Sequence, residues 1–147
     1  MNEYDKTIYE IRNFNRFYTV NMGFLNSGYL DTSYSVAETR ILFELNLHER
    51  CIQNDIVKIL QIDKSYLSRI IKRFDKNGLI EKKKSEEDKR ASYITLTEKG
   101  KKETEKLIVL TNEQIRTKID TLTPAECKQL CNSMNNIISI LGKEELI

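Results

Sequence analysis

The stretch Asp63–Leu96 constrains this chain more than any other, because two local patterns of different period meet in it without a linker. Leu67, Ile70, Ile71 and Phe74 recur at i, i+3, i+4 and i+7, so they share one face of a helix. The other face carries Ser65, Tyr66, Ser68, Arg69, Lys72, Arg73 and Lys76, and no acid. Asp63 has the short oxygen-bearing side chain of an N-cap, and Asn77-Gly78 supplies a left-handed stop. Directly after it, Leu79–Lys83 and Ala91–Leu96 read as paired strands around a polar tip, Lys84–Arg90. A helix that is apolar on one side and basic on the other, followed at once by a basic hairpin, has the pattern of a winged helix-turn-helix. Such a device reads double-stranded DNA.

Charge distribution points the same way. The whole chain nets only +2, yet Lys64–Lys102 alone holds 13 Lys or Arg against 6 Asp or Glu, and the remainder is net acidic. Basic charge confined to one stretch implies a polyanion partner at that place. No apolar run approaches the roughly 18 residues that a membrane span needs, and the residues after Met1 are not those of a secretory signal. A cytoplasmic location and no membrane partner are therefore expected. Cys51, Cys127 and Cys131 are too few and oddly numbered for a disulfide framework.

The flanking segments read as helices. In Tyr4–Met22, Ile8, Ile11, Asn15 and Tyr18 share a face that Tyr4, Phe14 and Phe17 widen; Gly23–Tyr34 reads as loop or as a frayed continuation of that helix. Ser35-Val-Ala-Glu38 is a capping box that opens Val36–Leu47, with Ala37, Ile41, Leu42 and Leu45 as its inner stripe. After a break at His48–Cys51, a short helix, Gln53–Leu60, turns its apolar side (Ile56, Val57, Ile59, Leu60) inward, and Gln61-Ile62 leads into the basic helix. Thr97 caps a long helix to about Ile119, whose apolar positions, from Leu107 on, come late. Thr123-Pro-Ala-Glu126 is a second capping box with Pro124 at the first helical position, opening a helix that stops at Leu141-Gly142.

Along that last helix, Cys127, Leu130, Cys131, Met134, Ile137, Ile138 and Leu141 keep a 3–4 spacing. Together with Ile8 and Ile11 this is more apolar surface than a small three-helix core needs, so the terminal helices are predicted to pack on a second copy of the chain. A two-fold dimer would place two recognition helices in successive major grooves. The predicted fold is mainly α: one winged helix-turn-helix subunit over 1–147, with a two-stranded wing. Residues 35–100 would form the DNA-binding lobe, and 1–34 and 101–147 the dimerisation helices.

In chain order, Asp63-Lys-Ser-Tyr-Leu-Ser-Arg69, Lys76-Asn-Gly-Leu-Ile80, Glu87-Asp-Lys-Arg90 and Leu96-Thr-Glu-Lys-Gly100 resemble the MarR family of bacterial transcriptional regulators. The resemblance implies an α-helical subunit with a small wing, a homodimer through the terminal helices and a palindromic operator. It implies repression in most members, with release of DNA when a small molecule binds in many. More narrowly, Phe14–Thr19 and Tyr34–Leu45 look like the MarR-type half of proteins that continue into a GNAT-type acetyltransferase domain. The chain ends at Ile147 without room for that enzyme, so no enzymatic activity is expected from the likeness.

Ser65, Tyr66, Ser68 and Arg69 fall at the exposed start of the recognition helix, where base edges are reached. Arg69 suits a bidentate guanine contact, worth roughly 1–3 kcal/mol of discrimination. Lys72 and Arg73 lie a turn further on and suit phosphate. In the wing, Lys82, Lys83, Lys84, Lys89 and Arg90 are basic. By the resemblance, Asp88 and Arg90 match an Asp-x-Arg wing pattern, in which Arg90 enters the minor groove and Asp88 holds the wing by pairing with a basic neighbour. A narrow groove concentrates negative potential and favours an inserted arginine; Glu86 and Glu87 would then point away. Also by the resemblance, a small-molecule effector would bind between the dimer helices and the DNA-binding lobe, where Phe14, Phe17, Tyr18 and Phe43 are the candidates, although aromatic residues at helical spacing are more often core.

Two rival readings stand beside this one: a constitutive DNA binder without effector, and a regulatory subunit of a separately encoded acetyltransferase. No catalytic constellation, metal site or cofactor is expected. His48 is the only histidine, which removes most metal and triad schemes and leaves a Cys51–His48 pair as the one conceivable nucleophile. Cys127 and Cys131, four apart on one helix face, could bind a metal or sense oxidants but read better as small apolar residues of a helical seam, and there is no glycine-rich phosphate loop.

Overall fold

Asn2 starts helix α1 (Glu3–Asn21) by accepting from the Asp5 N–H at 2.8 Å, yet no residue of this helix is buried. The computed structural model describes residues 1–26, 28–87 and 92–143, and it falls into two compact units, Met1–Leu110 and Thr111–Ile147. In the first unit, the predicted capping box opens α2 (Val36–Leu47): Ser35 Oγ accepts from the Glu38 N–H and Glu38 Oε1 from the Ser35 N–H, each at 3.1 Å. Strand β1 (Cys51–Ile52) leads into α3 (Gln53–Leu60), and Asp63 Oδ2 caps α4 (Lys64–Lys76) by accepting from Tyr66 N–H. Strands β2 (Ile80–Lys84) and β3 (Ser92–Leu96) follow, then α5 (Glu98–Ile119).

The core sits where these elements converge. Ile41, Leu42 and Leu45 of α2, Ile56 of α3, and Leu67, Ile70, Ile71 and Phe74 of α4 are buried with Leu79, Ile80, Ile94 and Leu107. The stripe expected of α4 is therefore its core face. Ala37 is only half-buried; Thr39 takes the inner position instead, its hydroxyl donating to Ser35 O at 2.9 Å so that burial costs no lost hydrogen bond.

The wing is the two-stranded hairpin expected, β2 pairing antiparallel with β3. Among the described residues the sheet gains a third strand that the sequence does not predict, β1, in the order β1–β3–β2 and also antiparallel. Cys51 pairs with Ile94 and Ile52 with Tyr93. A two-residue strand carries no periodicity of its own; it is recruited because a buried Cys51 lies beside the open edge of β3. Lys84, expected in the tip, ends β2 opposite Ser92.

The motif Leu96–Gly100 acts as a clasp between α4 and α5. Gly78 turns left-handed (φ 73) after α4, and Leu79 N–H returns to Phe74 O at 2.9 Å. Thr97 then takes hold of the turn. Its N–H donates to Leu79 O at 3.0 Å, its hydroxyl donates to Gly78 O at 2.5 Å, and the same oxygen caps α5 by accepting from Gly100 N–H. Lys99 Nζ donates to Asn77 O at 2.8 Å. At Gly100 a Cβ would overlap the Leu79 carbonyl oxygen and lie 3.2 Å from Leu96 Cδ2, so the approach of the helix to the chain requires glycine.

Residues 23–34, expected as loop or a frayed continuation of the first helix, hold a short 3-10 turn at Tyr29–Asp31 in which Leu30 and Asp31 both have φ 58. A chain of ring contacts, Phe14–Tyr18–Phe24–Tyr29, fastens this segment to α1. Tyr29 ends that chain as a core residue. In the second unit, α6 (Pro124–Leu141) starts at the predicted box, Thr123 Oγ1 accepting from Glu126 N–H and Glu126 Oε1 from Thr123 N–H. None of its residues is buried: the seam expected to be covered is open in the single chain, with Cys131 exposed and Cys127 half-buried. Among the described residues, no helix is long and apolar enough to cross a membrane.

Candidate nucleic-acid interface

Burying Leu67, Ile70, Ile71 and Phe74 fixes the rotation of α4 and so decides which residues face outward. Ser65, Arg69 and Lys72 are not buried, and among the described residues none of them makes an ion pair. Tyr66 is partly exposed, with the Arg69 guanidinium 5.9 Å from its ring centroid. That weak cation–π contact orients Arg69 without consuming its N–H donors.

The other two predicted members of this face are committed elsewhere. Ser68 lies on the flank towards α3, and its hydroxyl accepts from Gln53 Nε2 at 2.7 Å. Arg73 is tied to α2: its Nη2 lies 3.1 Å from Glu38 Oε2, the same carboxylate whose other oxygen closes the α2 capping box. Both side chains thus hold α4 in place. The sequence reading misses Gln53 and Glu38 as partners, because nothing in a linear pattern shows which flank of α4 meets α3 and α2.

In the wing, Lys82, Lys83 and Lys84 are all exposed along β2. The predicted Lys89, Arg90 and Asp88 lie outside the described residues. Ser85, at the base of the tip, is buried, and its hydroxyl accepts from Glu87 N–H at 3.2 Å.

The aromatic residues expected around an effector divide. Phe14 and Tyr18 stack at 5.5 Å, whereas Phe17 is 63% exposed and Phe43 is a half-buried residue packed against the core cluster. The predicted interface residues Ile8, Ile11, Leu130, Met134, Ile137, Ile138 and Leu141 are all exposed in the single chain. Cys51 does not meet the demands of a nucleophile. Burial first, and then Asp55 and Glu44, push its thiol up to about 11, so it stays protonated. His48 points instead at Glu44, with Nε2 3.6 Å from Oε2.

The geometry is that of a helix-turn-helix with a basic wing, and the comparisons bear on its kind. Residues 32–91 match the model of the MarR family. That segment holds α2, α3, α4 and β2, so the resemblance carried by Asp63–Arg69 and Lys76–Ile80 is met where the core is. HTH-type transcriptional regulator BilQ of Clostridium symbiosum (strain WAL-14163) is 34% identical over 80 residues, which is 54% of this chain and 56% of that protein. The chain spans about half the length of the curated relatives it matches. Among solved structures, a mutant of MarR from E. coli complexed with operator DNA has a TM-score of 0.74 at 20% identity, covering 94% of this chain and 99% of that one. FabT of Streptococcus pneumoniae in complex with DNA has a TM-score of 0.70 at 18% identity, covering 99% of this chain and all of that one. At such identities the likeness establishes the fold: a mainly helical, MarR-type winged helix with a small antiparallel sheet.

Proposed function

We propose that this chain is a MarR-type transcriptional regulator that binds double-stranded DNA in a sequence-specific manner as a homodimer. The observation that carries the reading is the outward face of α4. There Ser65, Arg69 and Lys72 stand clear of ion pairs among the described residues, on a helix whose opposite face is locked into the core. A rigid helix presenting such donors is what major-groove readout needs. The DNA-bound state of the MarR and FabT structures supports it.

In this reading Arg69 takes a guanine edge, Ser65 and Tyr66 contact neighbouring bases or phosphate, and Lys72 takes phosphate. Ser68 and Arg73 act at one remove, as the ties to Gln53 and Glu38. Lys83 and Lys84 meet the backbone beside the wing, with Lys89 and Arg90 completing the contact and Asp88 holding it. Residues 35–100 form the DNA-binding lobe. The homodimer rests on the exposed apolar faces of α1 and α6, because Ile8, Ile11, Ile137 and Ile138 are left open to solvent in one chain. Repression with release by a small-molecule effector, bound near Phe14, Phe17, Tyr18 and Phe43, completes the reading, and the cytoplasm is the place for it.

Sedimentation with and without duplex DNA tests the assembly, and fluorescence anisotropy with library-selected duplex tests recognition. The expected result is a dimer that binds one duplex and loses preference for it in Arg69→Ala. A monomer that binds no duplex at any salt concentration contradicts the proposal.

A further inference from the structure

Outside the recognition helix, one more basic cluster lies on the sheet, on the face turned away from the core. In the ladder, Lys83 stands directly opposite Tyr93, and Tyr93 directly opposite Ile52, so the three side chains share one face. Ile94, the next residue along β3, points the other way and is buried. Arg50, which precedes β1, places its guanidinium 4.6 Å from the Tyr93 ring centroid.

Both cations are exposed and Tyr93 is half-buried beneath Arg50. Glu49 is the neighbour of Arg50 in sequence, and Glu81 lies on the same face two residues from Lys83, opposite Thr95. Neither forms an ion pair with Arg50 among the described residues.

We infer that Arg50, Tyr93 and Lys83 form a second phosphate-binding surface, which grips the DNA backbone beside the wing independently of sequence. The inference rests on the DNA-binding reading and extends it to the outer face of the sheet. Ring contact steadies the guanidinium over Tyr93, and among the described residues its N–H fork enters no ion pair. A phosphate diester is the acceptor that matches such a fork, and the Tyr93 hydroxyl supplies a further donor beside it. Lys82 and Lys84 project from the other face of the same strand, so on this face a backbone following the wing meets Lys83 and then Arg50.

The test is salt-dependent binding of the full chain to a random-sequence duplex, comparing wild type, Arg50→Gln, Lys83→Gln, Arg50→Lys and the recognition-helix variant Lys72→Gln. Arg50→Gln removes one phosphate partner from each subunit of a dimer, so it should lower the log–log salt slope by about 2. Affinity should fall about a hundredfold, about tenfold for each of the two charge-assisted hydrogen bonds lost by the dimer. Lys83→Gln should do the same, whereas Arg50→Lys keeps the slope. Thermal unfolding of each variant accompanies the titration, and Arg50→Ser, at the same exposed position, carries the test if Arg50→Gln fails to fold. A wild-type slope on loss of the Arg50 guanidinium to Gln or Ser, with a reduced slope in Lys72→Gln, would overturn this inference whatever Lys83→Gln shows and leave the recognition helix in place. Absence of duplex binding by wild type would overturn both.

Discussion

Substituting Gly100 by alanine probes the joint on which the wing and the recognition helix both depend. The added methyl group would overlap the carbonyl oxygen of Leu79 and lie 3.0 Å from its carbon and 3.2 Å from Leu96 Cδ2. Neither neighbour yields easily, since one is backbone that already accepts from Thr97 N–H and the other is a side chain packed against the core. Helix α5 must therefore retreat from the α4–β2 turn. That movement stretches three hydrogen bonds: Thr97 N–H to Leu79 O, Thr97 hydroxyl to Gly78 O, and Lys99 to Asn77 O.

At about 1 kcal/mol for each bond, the loss comes to ~3 kcal/mol, within the range of overpacking costs. The better helix propensity of alanine returns at most ~1 kcal/mol. A net destabilisation of about 2 kcal/mol is expected, read by urea denaturation as a lower midpoint with an unchanged slope. A variant as stable as wild type, or more stable, would refute the claim that this glycine is there for close approach. Gly78→Ala makes a useful contrast, because its cost arises from a positive φ with no clash.

Three further outcomes follow from the same geometry. Glu38→Ala should cost about 1–2 kcal/mol by opening the α2 capping box, whereas Arg73→Ala should cost little; a double-mutant cycle should find ~0.5 kcal/mol between them, since Arg73 is more than half exposed. Cys51 should resist iodoacetamide at pH 8 in the folded chain and react on unfolding. Its raised thiol also means that its contribution to stability is whole below pH 9 and fades as pH climbs towards 11, which denaturation midpoints in wild type and Cys51→Ala would display. Ile138→Asp should shift the sedimenting species from dimer to monomer without changing the thermal behaviour of residues 36–96, and an unchanged dimer would remove α6 from the interface.

Much of this fold is legible in the sequence, for reasons that are local. The capping boxes at Ser35 and Thr123, the N-cap Asp63 and the stop at Gly78 are each decided by a few neighbouring residues, and each stands where the local pattern puts it. The stripe of α4 is legible because one helical period decides burial. What escapes a linear reading depends on partners distant in sequence. β1 exists only because β3 has an open edge. Tyr29 is buried through rings of α1 and its following turn, on a backbone that bends left-handed at Leu30 and Asp31. For the interface, the helix and its outward face are legible, but the division of that face is not. Ser68 and Arg73 look like Ser65 and Lys72 until α3 and α2 are placed beside them.

Selection from a random-sequence duplex library, with wild type and Arg69→Ala in parallel, tests the central claim most directly. The account predicts a palindromic motif with a guanine at matching positions of both half-sites for wild type, and loss of preference at that guanine in Arg69→Ala. Enrichment of no sequence by wild type, or of the same motif by both proteins, would contradict it.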